Sequence, residues 1–501
     1  MVKLLAKYDP VLENLLVMPQ GSVRYLSPTI QNELISLLAG HVKDGILSDI
    51  KAAPFFSLMV DTTQDIAKTD QLSLVIRYVC VETDVAGKPE KLKISESFIG
   101  FVAVDDQSAS GLCDFIVKGC IDDNKLDITK LRGQGYDGAA CMSGIYTGVQ
   151  ARILAKEPKA VYIHCAAHNL NLVLNDAVCD VKDVSNFFGV MEQIYVFFGH
   201  SITRWNALSQ QCESGDHESD SNVSVILKRL CPTRWSSRHD CLVAIRFQFV
   251  NVLKVLTKII LTSKKKDEVT SAVALKKKME RFDFVFILVM MTEILQTVHG
   301  VSKLLQSAQC YLIKASVLLK ASFEKLQSIR DKFEHFRDTA ANLAKAWGVT
   351  EQFEDGRVTK KKRFVDELCE DERLMCAEKR FRVSVFLATV DKTSVQLKQR
   401  FLGLDTVASM FNVLLPSTLT SLADDELHKS AIVLAERYNT DISPAFPTQL
   451  LSFRACFQSI LSNKSIVFEV AELLMIDHFA LSSTYSGGAY VRNWASRGFA
   501  C

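Results

Sequence analysis

No Cys-x-x-Cys pair occurs among the 14 cysteines, which are scattered along the chain. With no signal-peptide pattern ahead of them, the thiols are expected to be reduced, as in a cytosolic or nuclear protein. Net charge is nearly absent as well: 59 Lys and Arg stand against 57 Asp and Glu, leaving +2. Such a balance excludes a global electrostatic pull onto nucleic acid or anionic lipid, so any binding of that kind must come from local basic patches. The longest apolar run, residues 284–291, falls far short of the ~20 residues a membrane-crossing helix needs, and no span is expected. Proline is missing between Pro232 and Pro416, and glycine is sparse there. No proline therefore breaks a helix in that stretch. What is plentiful is apolar: 48% of 501 residues is ample for two to four packed domains.

Residues 1–50 carry helical spacing at Leu34, Leu37, Leu38 and Val42, with a break around Gly21 and Pro28 and no full zinc finger or basic arm. Aromatic and β-branched runs follow at 55–60, 72–81 and 94–104, with a hairpin loop at 84–89. A helix is predicted over 108–121, where Leu112, Phe115, Ile116 and Cys120 share a stripe. A glycine-rich loop, a helix over 147–156, a strand over 161–165 and a helix over 169–178 complete the block. The order strand-strand-strand-helix-strand-helix-strand-helix matches an RNase H-like α/β core. Beyond it the periodicity turns helical. Leu305, Ala308, Leu312, Ala315, Leu319, Phe323, Leu326, Ile329, Phe333 and Phe336 predict one amphipathic helix of a bundle, its stripe serving as core. Polar stretches near 212–224 and 350–371 read as solvated loops. The expected division is an N-terminal helical segment (1–50), an α/β core (51–180), a large all-α insertion (181–485) and an atypical tail (486–501).

The candidate chemistry gathers at Leu131-Arg-Gly-Gln-Gly-Tyr-Asp137-Gly-Ala-Ala-Cys-Met-Ser-Gly144. Asp137 sits there among small residues that permit close approach of a ligand. Upstream, Asp61 directly follows a buried run and precedes Thr62, Thr63 and Asp65. Asp61 and Asp137 are expected to end the first and fourth strands, which are neighbours in an RNase H-like sheet. Two such carboxylates bridging Mg2+ or Mn2+ are what a metal-dependent nuclease or polynucleotidyl transferase uses. Two ordinary turns would look the same.

Cys165 and His168, beside His164, lie at a strand-to-helix junction, and with no further ligands nearby a structural or substrate-facing role is expected rather than zinc. Arg234, Trp235 and Arg238, with Lys228, Arg229 and Arg246, form the best nucleic-acid candidate: arginines for phosphates and an indole for a base. A helix start with Trp235 packed inward reads equally well. Lysine runs at 264–266 and 276–278 read as solvated surface, and the run 360–363 as a nuclear-import signal.

Four motifs in order resemble the hAT-superfamily transposase-derived proteins, in particular the zinc finger MYM-type protein 1-like ones. They are Phe55-Phe-Ser-Leu-Met-Val-Asp61-Thr-Thr-Gln-Asp65, Gly133-Gln-Gly-Tyr-Asp137-Gly-Ala-Ala-Cys-Met-Ser-Gly144, Cys165-x-x-His168-x-Leu-Asn-Leu172 and Pro232-Thr-Arg-Trp235. The resemblance implies an RNase H-like core split by a helical insertion and a DNA cut-and-paste reaction with two divalent ions held by Asp, Asp and Glu. Asp61 and Asp137 fall on the first two positions, and Cys165, His168, Arg234 and Trp235 would lie near a DNA end. The third acid belongs beyond the insertion, and no Glu follows Glu472 here. In the family that acid stands in a Ser/Cys-Glu-Arg-Phe-Ser-like signature, whose letters Glu280-Arg-Phe282 and Glu436-Arg-Tyr438 copy in the wrong surroundings. The implied reading is a nuclear, transposase-derived protein without transposase activity that keeps a DNA- or protein-binding scaffold. Lacking the family's dimerisation segment, it is expected to be monomeric. The alternatives are an active metal-dependent nuclease with a replacement acid and a helical scaffold with no nucleic-acid role.

Overall fold

The computed structural model describes residues 6–19, 22, 27–86, 89–213, 227–230, 235–307, 312–353 and 376–475. Two helices lead in, α1 (Pro10–Val17) and α2 (Pro28–Ala52). The second begins at a serine cap, where Ser27 Oγ accepts the Ile30 amide hydrogen at 3.3 Å and Pro28 occupies the first helical position. Three strands follow, β1 (Phe56–Gln64), β2 (Asp70–Thr83) and β3 (Pro89–Val104). Helix α3 (Ala109–Ile116) continues as a π-helical turn, Val117–Asp122, and leads to β4 (Leu131–Tyr136). The short α4 (Ala140–Ser143), α5 (Val149–Lys156), β5 (Val161–His164) and α6 (Ala166–Asp180) close the α/β part. The element order is the one the sequence predicts.

The five strands form one mixed sheet in the order β3-β2-β1-β4-β5. β1, β2 and β3 pair antiparallel, whereas β4 joins β1 and β5 joins β4 in parallel. Alternation decides which side is covered. Phe56, Leu58 and Val60 of β1, with Leu72, Leu74, Ile76 and Tyr78 of β2, pack on Leu112 and Ile116 of α3, Val149 and Ile153 of α5, and Leu47 and Ile50 of α2. Fully burying each such side chain stabilises by about 1.5–3 kcal/mol. The opposite face carries Ser57, Met59, Asp61 and the glycines 133 and 135, and it looks toward the helical half.

That half is built from α7 (Lys182–Gly199), α8 (Ile202–Glu213), α9 (Trp235–Thr262), α10 (Lys266–Met279), α11 (Phe282–Leu305), α12 (Leu312–Ile329) and α13 (Phe333–Trp347). It continues through α14 (Ala377–Phe381), a π-helical turn Arg382–Leu387, α15 (Ala388–Phe411), α16 (Pro416–Ser421), α17 (Asp424–Arg437), α18 (Phe446–Leu461) and α19 (Val467–Met475). Its core includes Val79 and Leu92 from the sheet, which joins the two halves. At the centre lies α11. By length and composition it could cross a membrane, but 67% of its apolar window is buried within the protein, and it serves as the axis of the bundle. Phe286 packs there against Phe333, Phe381 and Phe386, with ring centroids 5.3, 5.1 and 6.0 Å away.

The stripe read as one helix from Leu305 onward is divided. α12 stops at Ile329 and α13 starts at Phe333, and Gly348, with φ of 72°, ends α13 in the left-handed conformation. The polar stretches near 212–224 and 350–371 lie largely, and the basic run 360–363 and the tail 486–501 wholly, outside the described residues.

Candidate metal and nucleic-acid sites

Asp61 and Asp137 come together. The parallel register of β1 and β4 runs through Leu58 with Gln134 and Met59 with Gly135. Two positions further along, on the face of Met59 and Gly135, stand Asp61, still within β1, and Asp137, one residue past the end of β4. Neighbouring strands lie about 4.8 Å apart, so the two carboxylates share one rim of the sheet. Asp61 is exposed and Asp137 half-buried. One detail differs from the sequence reading. Asp61 does not end its strand, because β1 continues to Gln64 through antiparallel pairing with β2 as far as Asp70. Asp61 instead stands where partnership with β4 stops and partnership with β2 persists. Ser73 Oγ donates to its carbonyl at 3.0 Å, leaving the carboxylate out of that contact. Asp65 is a turn residue. It accepts from the Thr69 amide at 2.9 Å and from Gln71 Nε2 at 3.2 Å, and the Thr69 bond holds its carboxyl below the usual range.

The Asp137 loop is held from several sides. Gln134 is buried and donates to the Gln150 and Ala160 carbonyls at 3.2 and 2.8 Å, while Tyr136 Oη donates to Gln134 at 2.9 Å. Tyr162 Oη donates to the Asp137 carbonyl at 3.2 Å, and Asp137 Oδ1 accepts the Ala139 amide hydrogen at 3.2 Å. Burial, seconded by Asp137, pushes the Tyr162 hydroxyl up to about 12. Gly138 has a steric reason: a Cβ there would stand 2.4 Å from His164 Cε1. A cavity of 460 Å3 opens over this face, lined by Asp61, Asp137, His164, Cys165 and His168 with Leu312, Ala315 and Leu404 from the helices. A larger one, 750 Å3, lies in the helical half around Phe187, Arg281 and Phe381 and contains none of the predicted residues.

Cys165 is exposed and precedes α6, and His168 lies in its first turn, 5.8 Å ring-to-ring from His164. His164 is the residue that sequence reasoning underrated. Its Nε2 is buried and has no hydrogen-bond partner among the described residues. Burial first, then His168 and Arg400, lower its pKa to about 4, with Asp137 opposing. Adjacency to Cys165 was the available signal. Also missed was an ion pair in the cavity wall, Arg77 to Glu96 at 2.5 Å, joining β2 and β3 in one cross-strand row with Ser57.

Two carboxylates on one rim suit a single hard cation whose shell is completed by phosphate oxygens and water. They do not suit a pair of ions. Among the described residues no group of three or more His, Cys, Asp or Glu side chains is placed to hold a metal.

The basic candidate is differently disposed. Arg234 and the Trp235 side chain lie outside the described residues, although Trp235 begins α9. Arg238 faces inward, with Nη2 donating to Asn175 Oδ1 at 3.1 Å and its guanidinium 5.0 Å from the Phe188 ring centre. Lys228 pairs with Asp240 at 3.0 Å, and Arg229 lies 4.0 Å from Glu192.

Residues 1–148 match the family model for the ZMYM1/FAM200 RNase-like domain (DUF4371). The chain is also similar to the 52 kDa repressor of the inhibitor of the protein kinase. It is 23% identical to the Homo sapiens protein over 338 residues, covering 64% of this chain and 41% of that protein. To the Mus musculus protein it is 24% identical over 329 residues, covering 64% and 42%. The matched stretch thus spans about two fifths of the length of these relatives. With the ordered motifs and the mixed sheet at the amino end, these similarities support a transposase-derived family for the chain.

Proposed function

We propose that this chain is a transposase-derived regulatory protein of the nucleus, working by binding nucleic acid or protein partners rather than by cutting and joining DNA. The observation that carries this reading is the donor set at the sheet rim. Asp61 on β1 and Asp137 just past the end of β4 stand level, and among the described residues no third metal ligand joins them. Losing one ligand from a two-ion site commonly costs orders of magnitude in rate. The similar proteins are named as repressors, which agrees with a binding role. The basic run 360–363, outside the described residues, supports nuclear import. The test is a nicking and strand-transfer assay with Mg2+ or Mn2+ on duplex DNA. No product above the protein-free background is expected. Metal-dependent product that disappears in Asp61→Ala would overturn the reading.

A second reading has one observation in its favour. Glu96 lines the same cavity as Asp61 and Asp137, although Arg77 holds its carboxylate. If Glu96 is a replacement acid, metal-dependent cleavage exists and Glu96→Gln abolishes it.

A further inference from the structure

The chain is balanced in charge overall, but one stretch is not. From Cys241 to Lys266 there are six basic residues, Arg246, Lys254, Lys258, Lys264, Lys265 and Lys266, and no acid. The structure lays this stretch along α9 and around the turn into α10. Lys254, Lys258, Lys264, Lys265 and Lys266 are all exposed, and among the described residues none has an ion-pair partner. The nearest acids in sequence give little compensation. Glu268 is engaged by Arg204 at 3.3 Å and by Ser263 Oγ at 2.5 Å, which leaves Asp267.

Favourable placement of cations at a helix C-terminus does not account for this patch. That effect fades within the last turn, whereas Lys254 lies eight residues before the end of α9. Along the same solvent stripe, at spacings of three, four and seven, stand Phe247, 66% exposed, Lys254, Lys258 and Leu261, 79% exposed. The two apolar residues are 14 positions apart, about 21 Å along the helix. Separated points of that kind do not make the continuous apolar face that an interfacial membrane helix buries. An exposed ring beside lysines is, by contrast, the combination that meets bases and phosphates.

We propose that the α9–α10 hairpin, through Lys254, Lys258 and Lys264–Lys266 with Phe247, is a phosphate-backbone contact surface for nucleic acid. This proposal rests on the binding function above. It moves the contact from the amino end of α9, where Arg238 is turned inward, to its carboxyl end.

The experiment is fluorescence anisotropy of the full chain with a 25-base-pair DNA duplex, titrated between 50 and 200 mM salt. It compares wild type with the fivefold variant K254Q/K258Q/K264Q/K265Q/K266Q, with the twofold variant K254Q/K258Q, and with K314Q/K320Q on α12, a control that removes the same two charges as the twofold variant. Every substituted lysine is exposed, and unchanged melting temperatures verify folding. The expected result is that the salt slope falls by about 0.9 for each lysine that holds a phosphate, with at least tenfold weaker binding at 50 mM salt, and that the control keeps the wild-type slope. Phe247→Ala is expected to weaken binding of a single strand of the same sequence more than of the duplex. Wild-type binding with an unchanged slope in the fivefold variant overturns this proposal alone. So does a loss in the control equal to that of the twofold variant, or preference for phosphatidylserine vesicles over DNA. No binding of wild type to DNA at 50 mM salt overturns both this proposal and the nucleic-acid arm of the proposed function.

Discussion

Arg132 and Asp441, 309 positions apart, close a two-pronged ion pair: Nε donates to one carboxylate oxygen and Nη2 to the other, each at 2.9 Å. The arginine side chain is 4% exposed and the aspartate 8%. Arg132 Nη1 also donates to the Thr129 and Leu131 carbonyls at 2.6 and 2.9 Å, and the guanidinium lies 4.5 Å from the Phe55 ring centre. The clamp fastens the loop after α17 to the start of β4, the strand that delivers Asp137. Removing one partner leaves the other buried with only a longer contact, Glu157 at 3.9 Å for Arg132 or Lys159 at 3.6 Å for Asp441, so the loss is expected at the lower end of the about 3–5 kcal/mol seen when a buried pair is broken. Asp441→Ala is therefore expected to lower stability by that amount in urea unfolding, and the double change Arg132→Met/Asp441→Leu to lower it less than Asp441→Ala alone. A double variant weaker than either single one contradicts this account.

Gly138→Ala sets a methyl group against the His164 ring. A Cβ there would stand 2.4 Å from the ring, so the ring must shift, and a loss of about 1–3 kcal/mol is expected, the usual cost of overpacking. The same variant moves the ring toward water, and its pKa, followed by NMR, rises from about 4. An unchanged histidine titration would mean that the contact does not hold the ring in place.

His164 also makes stability depend on pH in a defined window. Its folded-state pKa, about 4, lies below the ordinary 6.5, so between these values the unfolded chain binds the extra proton. Stability from this group is fully present above pH 6.5 and is lost as pH falls toward 4. Chemical unfolding measured across that range should show a slope in the wild type that is reduced in His164→Gln. Parallel curves would refute the assignment.

Metal stoichiometry separates the two views of the rim. One Mn2+ per chain is expected, counted by the electron paramagnetic signal of the free ion, and none at the same concentrations in Asp61→Asn or Asp137→Asn. Two ions per wild-type chain would show that a third ligand takes part.

Much of the α/β half is legible because alternation and turn residues are local signals. Residues 56–60, 72–81 and 94–104 each lie within a strand, with Phe55 just ahead of the first, and β4 pairs beside β1. The adjacency of Asp61 and Asp137 follows from that pairing. Other features leave no local trace. The stripe from Leu312 to Phe336 reads as one helix because the turn at 330–332 contains neither Gly nor Pro, and the spacing from Ile329 to Phe333 to Phe336 stays in phase across it. Arg238 reads as a phosphate ligand in a basic cluster, but whether it faces water depends on Asn175 and Phe188, far away in sequence. Arg132 with Asp441 is illegible for the same reason: a pair closed over 309 residues has no spacing to announce it.

The strand bearing Asp61 occupies the middle of the sheet, hydrogen-bonded to β2 on one side and β4 on the other. An interior strand opens only when larger parts of a molecule open with it. Amide protons of Leu58 and Met59 should thus be among the last to exchange with deuterium, while the outer strand β3 trades its own far sooner. The rim would keep its shape through the ordinary breathing of the protein, ready for whatever settles there.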